Sequence, residues 1–254
     1  MRKKHQIRKH INKGFIPNIF TVFNMFLGFT ALILIVAGDP LRATWFVFAA
    51  AILDAFDGKL ARLIGIESSF GAEFDSFADT ISFCVTTSLL INTTWVSGLP
   101  HLIAIILSFM PLLFGTIRLA KYNIQNDENP KQFFVGLPVP TYALSLFGFL
   151  LYSNQTVGTN GDPRIGLAIA IGFGFLMISR IKFAKIPYLS FKMGTKNTIR
   201  LVLALSLLIV VIIWQGLVLF PIILLYILWN IIHWIIHHDQ FEEEHELIES
   251  SEGN

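Results

Sequence analysis

Four aspartates, Asp54, Asp57, Asp75 and Asp79, lie inside or at the ends of two otherwise apolar stretches. Asp54 and Asp57 are three residues apart, and Asp75 and Asp79 are four apart. Each pair therefore falls on one face of its own helix, with one turn between its members. A short turn through Gly65 to Gly71 joins the two stretches. The helices should thus be antiparallel neighbours that gather four carboxylates near one end. An acid at the centre of a membrane helix costs about 2.5–3.5 kcal/mol on insertion scales, so these groups must face a cavity, a cation, or both. Four bare carboxylates at close quarters repel one another. Hard divalent cations relieve that repulsion, and an all-oxygen donor set points to Mg²⁺, Mn²⁺ or Ca²⁺ rather than zinc.

Small residues line the same stripe. Ala61 follows Asp57 by four, Gly58 follows Asp54 by four, and Gly71 precedes Asp75 by four. They leave space beside the carboxylates for a bulky ligand. Arg62 is suited to a phosphate, because its planar guanidinium can grip two oxygens at once.

The elements that position these groups must cross a membrane. The chain has 254 residues, of which 54% are hydrophobic and 14% charged, with a mean hydropathy of +0.64. Soluble domains carry about 25% charged residues. Cys84 is the single cysteine and sits in an apolar run, which excludes a disulfide framework and a thiolate metal site. Apolar runs of about 17–25 residues predict eight spans: 17–37, 41–64, 72–96, 100–122, 138–154, 164–181, 199–215 and 217–236. The expected architecture is an all-α polytopic bundle. The first apolar segment is long and lacks a small-residue cleavage site, so no cleavable leader is expected.

Residues 1–14 carry six Lys or Arg, the mark of a basic juxtamembrane segment that pins topology and touches anionic lipid rather than nucleic acid. Putting that segment in the cytoplasm leaves only Arg42 and Arg164, of 19 Lys and Arg, on the outside. This positive-inside pattern places both termini and the carboxylates on the cytoplasmic side of the cell membrane. The expected division is a basic segment at 1–14, a membrane domain at 15–238 and a solvated acidic tail at 239–254.

Further polar groups cluster at the cytoplasmic end. Pro17 suits a first helical turn, and Asn18, Thr21 and Asn24 form a polar stripe behind it. That stripe serves either interhelical hydrogen bonds or contact with a ligand. Arg118, Lys121 and Tyr122 lie within one turn at the end of the fourth span, where snorkelling anchors would look alike. Pro138 and Pro140 break or start the fifth span. The last two spans carry little that is polar apart from Asn230 and interfacial Trp214, Trp229 and Trp234, and read as lipid-facing or dimer-forming padding. His233, His237 and His238 sit at the membrane exit and read as interfacial.

The pattern Asp54-x-x-Asp57-Gly58-x-x-Ala61-Arg62, followed by Gly71-x-x-x-Asp75-x-x-x-Asp79, resembles the full signature of the CDP-alcohol phosphotransferases. The resemblance implies a six-helix catalytic core and a reaction in which an alcohol displaces CMP from a CDP-linked donor. It implies a two-metal site with Mg²⁺ or Mn²⁺, Asp54, Asp57 and Asp75 as ligands, and Asp79 as both a ligand and the general base. Arg62 would brace the pyrophosphate, and Gly58 and Ala61 would line the nucleotide seat. Asn18, Thr21, Asp54 and Gly71 complete the implied CDP-diacylglycerol site. A homodimer is also implied.

Beyond the signature, the Pro-Asn-x-x-Thr opening, Arg-Leu-Ala-Lys-Tyr-Asn, Gly-Leu-Pro-x-Pro and Leu-Met-x-Ser-Arg-Ile-Lys resemble the branch that uses CDP-diacylglycerol and L-serine. Serine carries a carboxylate, so its pocket needs a cation; Arg118, Lys121 and Arg180, with Tyr122, are the candidates. Sister enzymes using glycerol 3-phosphate or an inositol phosphate are the nearest alternatives. A divalent-cation transporter would explain the acids but not Ala61-Arg62 or the glycines, and it would place acids near the bilayer midplane.

Overall fold

The structure, a computed structural model, describes residues 2–64, 69–125, 133–184 and 195–236; at 2–18, 57–64, 69, 125, 133, 195–197, 200, 201 and 204 it describes the backbone only. It is an all-α membrane protein. Helix α1 spans Arg2–Val36, α2 Pro40–Ile64, α3 Ser69–Asp79, α4 Thr86–Thr94, α5 His101–Gln125, α6 Val139–Val157, α7 Pro163–Ile178, α8 Thr195–Trp214 and α9 Gly216–Ile236. A π-helical segment, Thr80–Val85, joins α3 to α4 in one continuous rod. Two short strands, β1 (Phe133–Val135) and β2 (Lys182–Ala184), pair antiparallel with Phe134 opposite Phe183.

Each predicted span corresponds in position to one helical rod. Among the described residues, Ile19–Val36, Phe70–Thr94, His101–Ile124 and Gly216–Ile236 are long and apolar enough to cross a membrane. Large apolar side chains such as Phe26, Leu102 and Trp229 stand exposed on the rods, as a lipid-facing surface requires.

Local chemistry sets the ends of the rods. The backbone N–H of Asp39 closes α1 by donating to Leu34 O at 2.9 Å. The Asp39 carboxylate then accepts from Arg42 N at 3.1 Å and caps α2, whose first residue is Pro40. Asp162 caps α7 in the same way, accepting from Arg164 N at 2.8 Å, with Pro163 at the first position. Helix α6 begins at Val139, just after an extended Pro138, with Pro140 in its first turn.

The most enclosed rod is α6. Tyr142, Ala143, Leu146, Phe147 and Leu150 are all buried, and the helix packs against α2, α7, α9 and the π segment. Helices α1 and α2 lie side by side, and α1 also lines the α3–α4 rod. The Tyr142 hydroxyl donates to Ala170 O at 3.1 Å and fastens α7 to this centre.

Four features differ from expectation. Helix α1 runs back to Arg2, so Pro17 lies within it instead of opening it. The Lys, Arg, Gln and Ile residues before Pro17 favour helix, and Pro withholds a single N–H donor. The third rod is interrupted by a π segment. A two-stranded ribbon sits at the end of the bundle that holds the acids. Finally, α9 is lipid-facing on only part of its surface: Gly216, Leu219, Ile223, Ile227 and Asn230 form a buried face that packs against α6. Helix α8, by contrast, is mostly exposed along its described length. The acidic tail at 239–254 lies outside the described residues.

Candidate active site

Asp54 comes from α2, and Asp75 and Asp79 come from α3. Each offers a carboxylate oxygen, and these oxygens lie within 4.8 Å of one another. Asp54 and Asp75 are half-buried, whereas Asp79 is only 8% exposed. The fourth aspartate, Asp57, stands on the α2 backbone, and its side chain lies outside the described residues. The same holds for Gly58, Ala61 and Arg62 on α2, and for Asn18 on α1. Gly71 is half-buried on α3, and Thr21 is buried on α1.

Helix α1 backs the cluster. The Asn24 amide nitrogen donates to Asp79 Oδ1 at 3.4 Å, and the Asn24 main-chain oxygen accepts from Ser82 Oγ at 2.9 Å. Asn24 is 1% exposed, so of the two readings of the polar stripe, interhelical bonding is the one this residue takes. Ser82 belongs to the π segment, which begins directly after Asp79. Such segments widen the helix by one residue and recur at functional sites. One turn along α1, Gly28 lets the two backbones approach: a Cβ there would collide with the Ser82 backbone and side chain. Overpacking of this kind costs about 1–3 kcal/mol. Gly28→Leu should therefore lower the melting temperature in detergent by several degrees, which a thermal unfolding scan checks.

Helix α5 closes another side. The Asn123 amide donates to Ser76 Oγ at 2.9 Å, beside Asp75. Arg118 is 8% exposed, and its charge acts on Asp79 and Asp54. It is the buried cation among the described residues, and its Nε has no hydrogen-bond partner among them. Tyr122 is half-buried one turn further on, with its ring 6.2 Å from that of Phe134 on β1. Lys121 and Arg180 are exposed. Of the four acceptor candidates, Arg118 is within electrostatic reach of Asp79 and Asp54, and Tyr122 of Arg118. His233 is exposed near the end of α9; His237 and His238 lie outside the described residues.

This donor set fits a hard divalent cation. It is all oxygen and compact, and among the described residues three carboxylates gather beside one buried guanidinium. Arg118 Nε adds a buried donor suited to an anionic ligand beside that cation.

Sequence reasoning missed Ser82 and Tyr226 and left Asn230 without a role. Ser82 gave no signal, since a serine in an apolar run is ordinary. Tyr226 and Asn230 were legible as a polar pair four residues apart in an otherwise apolar helix, a spacing that puts both on one face. The structure uses them: Asn230 Oδ1 accepts from Ala184 N at 2.9 Å, and the Tyr226 hydroxyl donates to Ala184 O at 2.9 Å.

The family described as CDP-alcohol phosphatidyltransferase matches residues 14–179. A Helicobacter pylori (strain J99) protein named CDP-diacylglycerol–serine O-phosphatidyltransferase is 33% identical over 220 residues, 86% of this chain and 90% of its own length. A Methanocaldococcus jannaschii protein of the same name is 35% identical over 181 residues, 71% of this chain and 78% of its own. A third protein of that name, from Bacillus subtilis (strain 168), is 32% identical over 171 residues, 67% of this chain and 90% of its own.

Proposed function

Because the chain belongs to the CDP-alcohol phosphatidyltransferase family, we propose that it makes phosphatidylserine, moving the phosphatidyl group of CDP-diacylglycerol to the hydroxyl of L-serine. The observation that carries this reading is the acidic trio of Asp54, Asp75 and Asp79 in a chain similar along most of its length to serine phosphatidyltransferases.

The serine hydroxyl attacks the phosphorus that bears the diacylglycerol. A serine O–P bond forms, the P–O bond to CMP breaks, and CMP leaves with the electron pair. Asp79 takes the hydroxyl proton as general base, and the Asn24 amide holds its carboxylate in place. A divalent cation, Mg²⁺ or Mn²⁺, held in a two-metal site by Asp54, Asp57, Asp75 and Asp79, would neutralise charge on the donor's phosphates and on CMP as it leaves. Arg62 braces the pyrophosphate, and Gly58, Ala61, Gly71, Asn18 and Thr21 line the donor site. Arg118, with Tyr122, receives the serine carboxylate, because a buried guanidinium with an uncommitted donor fits a planar anion. The distribution of Lys and Arg supports a cell-membrane location with the acids and both termini in the cytoplasm. The boundaries at 14 and 238 and a homodimeric state complete the reading.

Protein purified in detergent and given CDP-diacylglycerol, Mn²⁺ or Mg²⁺ and labelled serine should yield phosphatidylserine and CMP. CMP release with glycerol 3-phosphate or an inositol phosphate, but not with serine, would assign it to a sister enzyme instead. A hydrogen bond to a charged group is worth about 1.5–3 kcal/mol, or roughly 10–100-fold in rate or affinity. Asn24→Ala should therefore lower kcat by about 10–100-fold. Arg118→Met should raise the serine KM by a similar factor and leave the donor KM nearly unchanged. Steady-state CMP release with each substrate varied in turn measures both.

A further inference from the structure

The family match ends at residue 179, so β2 and α9 lie beyond it. Yet α9 is strapped to the bundle at both ends. At the end away from the acids, Gln155 on α6 donates from Nε2 to Gln215 Oε1 at 2.9 Å and accepts from Leu217 N at 3.0 Å. Gly216 meets the backbone of Leu151 and Tyr152 so closely that no Cβ would fit. At the acid-bearing end, α9 grips β2. A two-stranded ribbon leaves the outer edge of each strand with backbone groups that its partner strand does not pair. On the outer edge of β2 both groups of Ala184 are taken, the N–H by Asn230 Oδ1 and the carbonyl by the Tyr226 hydroxyl. Asn230 Nδ2 donates back to Tyr226 O at 2.7 Å, which fixes which way the amide faces. Asn230 is buried, and an amide in an apolar membrane helix needs such partners.

The ribbon leads back to the site. Phe183 on β2 is fully buried, with its ring 6.2 Å from that of Tyr226. Its partner strand carries Phe134 against Tyr122, four residues after Arg118 on α5. Tyr226 itself lies within electrostatic reach of Arg118. A continuous line of contacts thus runs from α9 through the ribbon to the buried guanidinium beside the acids.

We propose that Tyr226 and Asn230 are positioning residues for the acceptor: together they latch β2 to α9 and so hold the ribbon as the wall of the pocket around Arg118 and Tyr122. This rests on the reading of Arg118 as the acceptor's anchor. The donor side, built from α1, α2 and α3, does not pack against β2 or α9 among the principal helix contacts.

Tyr226→Phe keeps the ring and removes only the hydroxyl; Asn230→Leu keeps apolar bulk and removes the amide. Each should raise the acceptor KM by about 5–20-fold, the loss expected for the one buried hydrogen bond to Ala184 that each removes, with the CDP-diacylglycerol KM within twofold of wild type. Because both grip one residue, the double variant should fall well short of the product of the single effects. Amide exchange at residues 182–184 should quicken in every variant, with exchange in α6 unchanged. Equal rises in both KM values, or a fully multiplicative double variant, would overturn the proposal. Unchanged exchange at 182–184 would overturn it whichever alcohol the enzyme uses. The acceptor panel on wild-type protein is run first. If another alcohol replaces serine there, only the serine reading falls, and the latch is judged on that alcohol's KM.

Discussion

Asp79→Asn is expected to cut CMP release by at least about 10³-fold while the protein remains folded in detergent. General bases contribute about 10²–10⁴-fold, and Asp79 also belongs to the acidic trio, so two roles are lost together. The substitution keeps the shape of the side chain, and its amide oxygen can still accept from Asn24. It also removes one of three negative groups that face one another at close range. Cation-free protein should accordingly melt at the same temperature or higher than wild type, which separates loss of chemistry from loss of fold. A variant that turns over at the wild-type rate would remove Asp79 from the reaction.

Removal of divalent cations should have an effect of similar size. A chelator should bring CMP release to background, and Mg²⁺ or Mn²⁺ added back should restore it, since metal stabilisation of phosphoryl charge is worth several kcal/mol and each 1.36 kcal/mol is tenfold. Binding should also stabilise the fold, by about 2.7 kcal/mol at a hundred times the dissociation constant. Wild-type protein should therefore melt higher with Mn²⁺ than without it. Asp54→Asn and Asp75→Asn should shrink that shift and raise the concentration of metal needed for half-maximal activity. Full activity in excess chelator would remove the cation from the mechanism and leave the acids unexplained.

Much of this arrangement is visible in the residues themselves. Apolar runs separated by Gly, Pro and charge mark the rods, because the bilayer demands length and greasiness that composition displays directly. Acids in such runs stand out, and spacings of three and four place them on one helical face. Other features follow from relations between segments. The residues of the π segment, Thr80 to Val85, look like any apolar helix. The ribbon pairs two three-residue strands about 50 residues apart, too short to show a strand pattern. Asn230 was noticed as polar, but its partner, the backbone of Ala184, is invisible in a list of side chains. The bonding of Asn24 to Asp79 likewise depends on the close crossing that Gly28 permits.

The π segment sets how the two halves of this rod are clocked. One residue subtends about 100° of an α-helix. The wide turn takes up one residue more than a regular turn would, so the Thr86–Thr94 stretch keeps its angular phase relative to Asp75 and Asp79. Drawing Thr80–Val85 into a regular α-helix with every residue kept would turn α4 by over a quarter of a circle relative to the aspartates. Leu90 and Ile91, now enclosed, would swing toward lipid. Backbone hydrogen bonding at this one turn thus decides which face of α4 meets the bundle, with no change in any side chain near the acids.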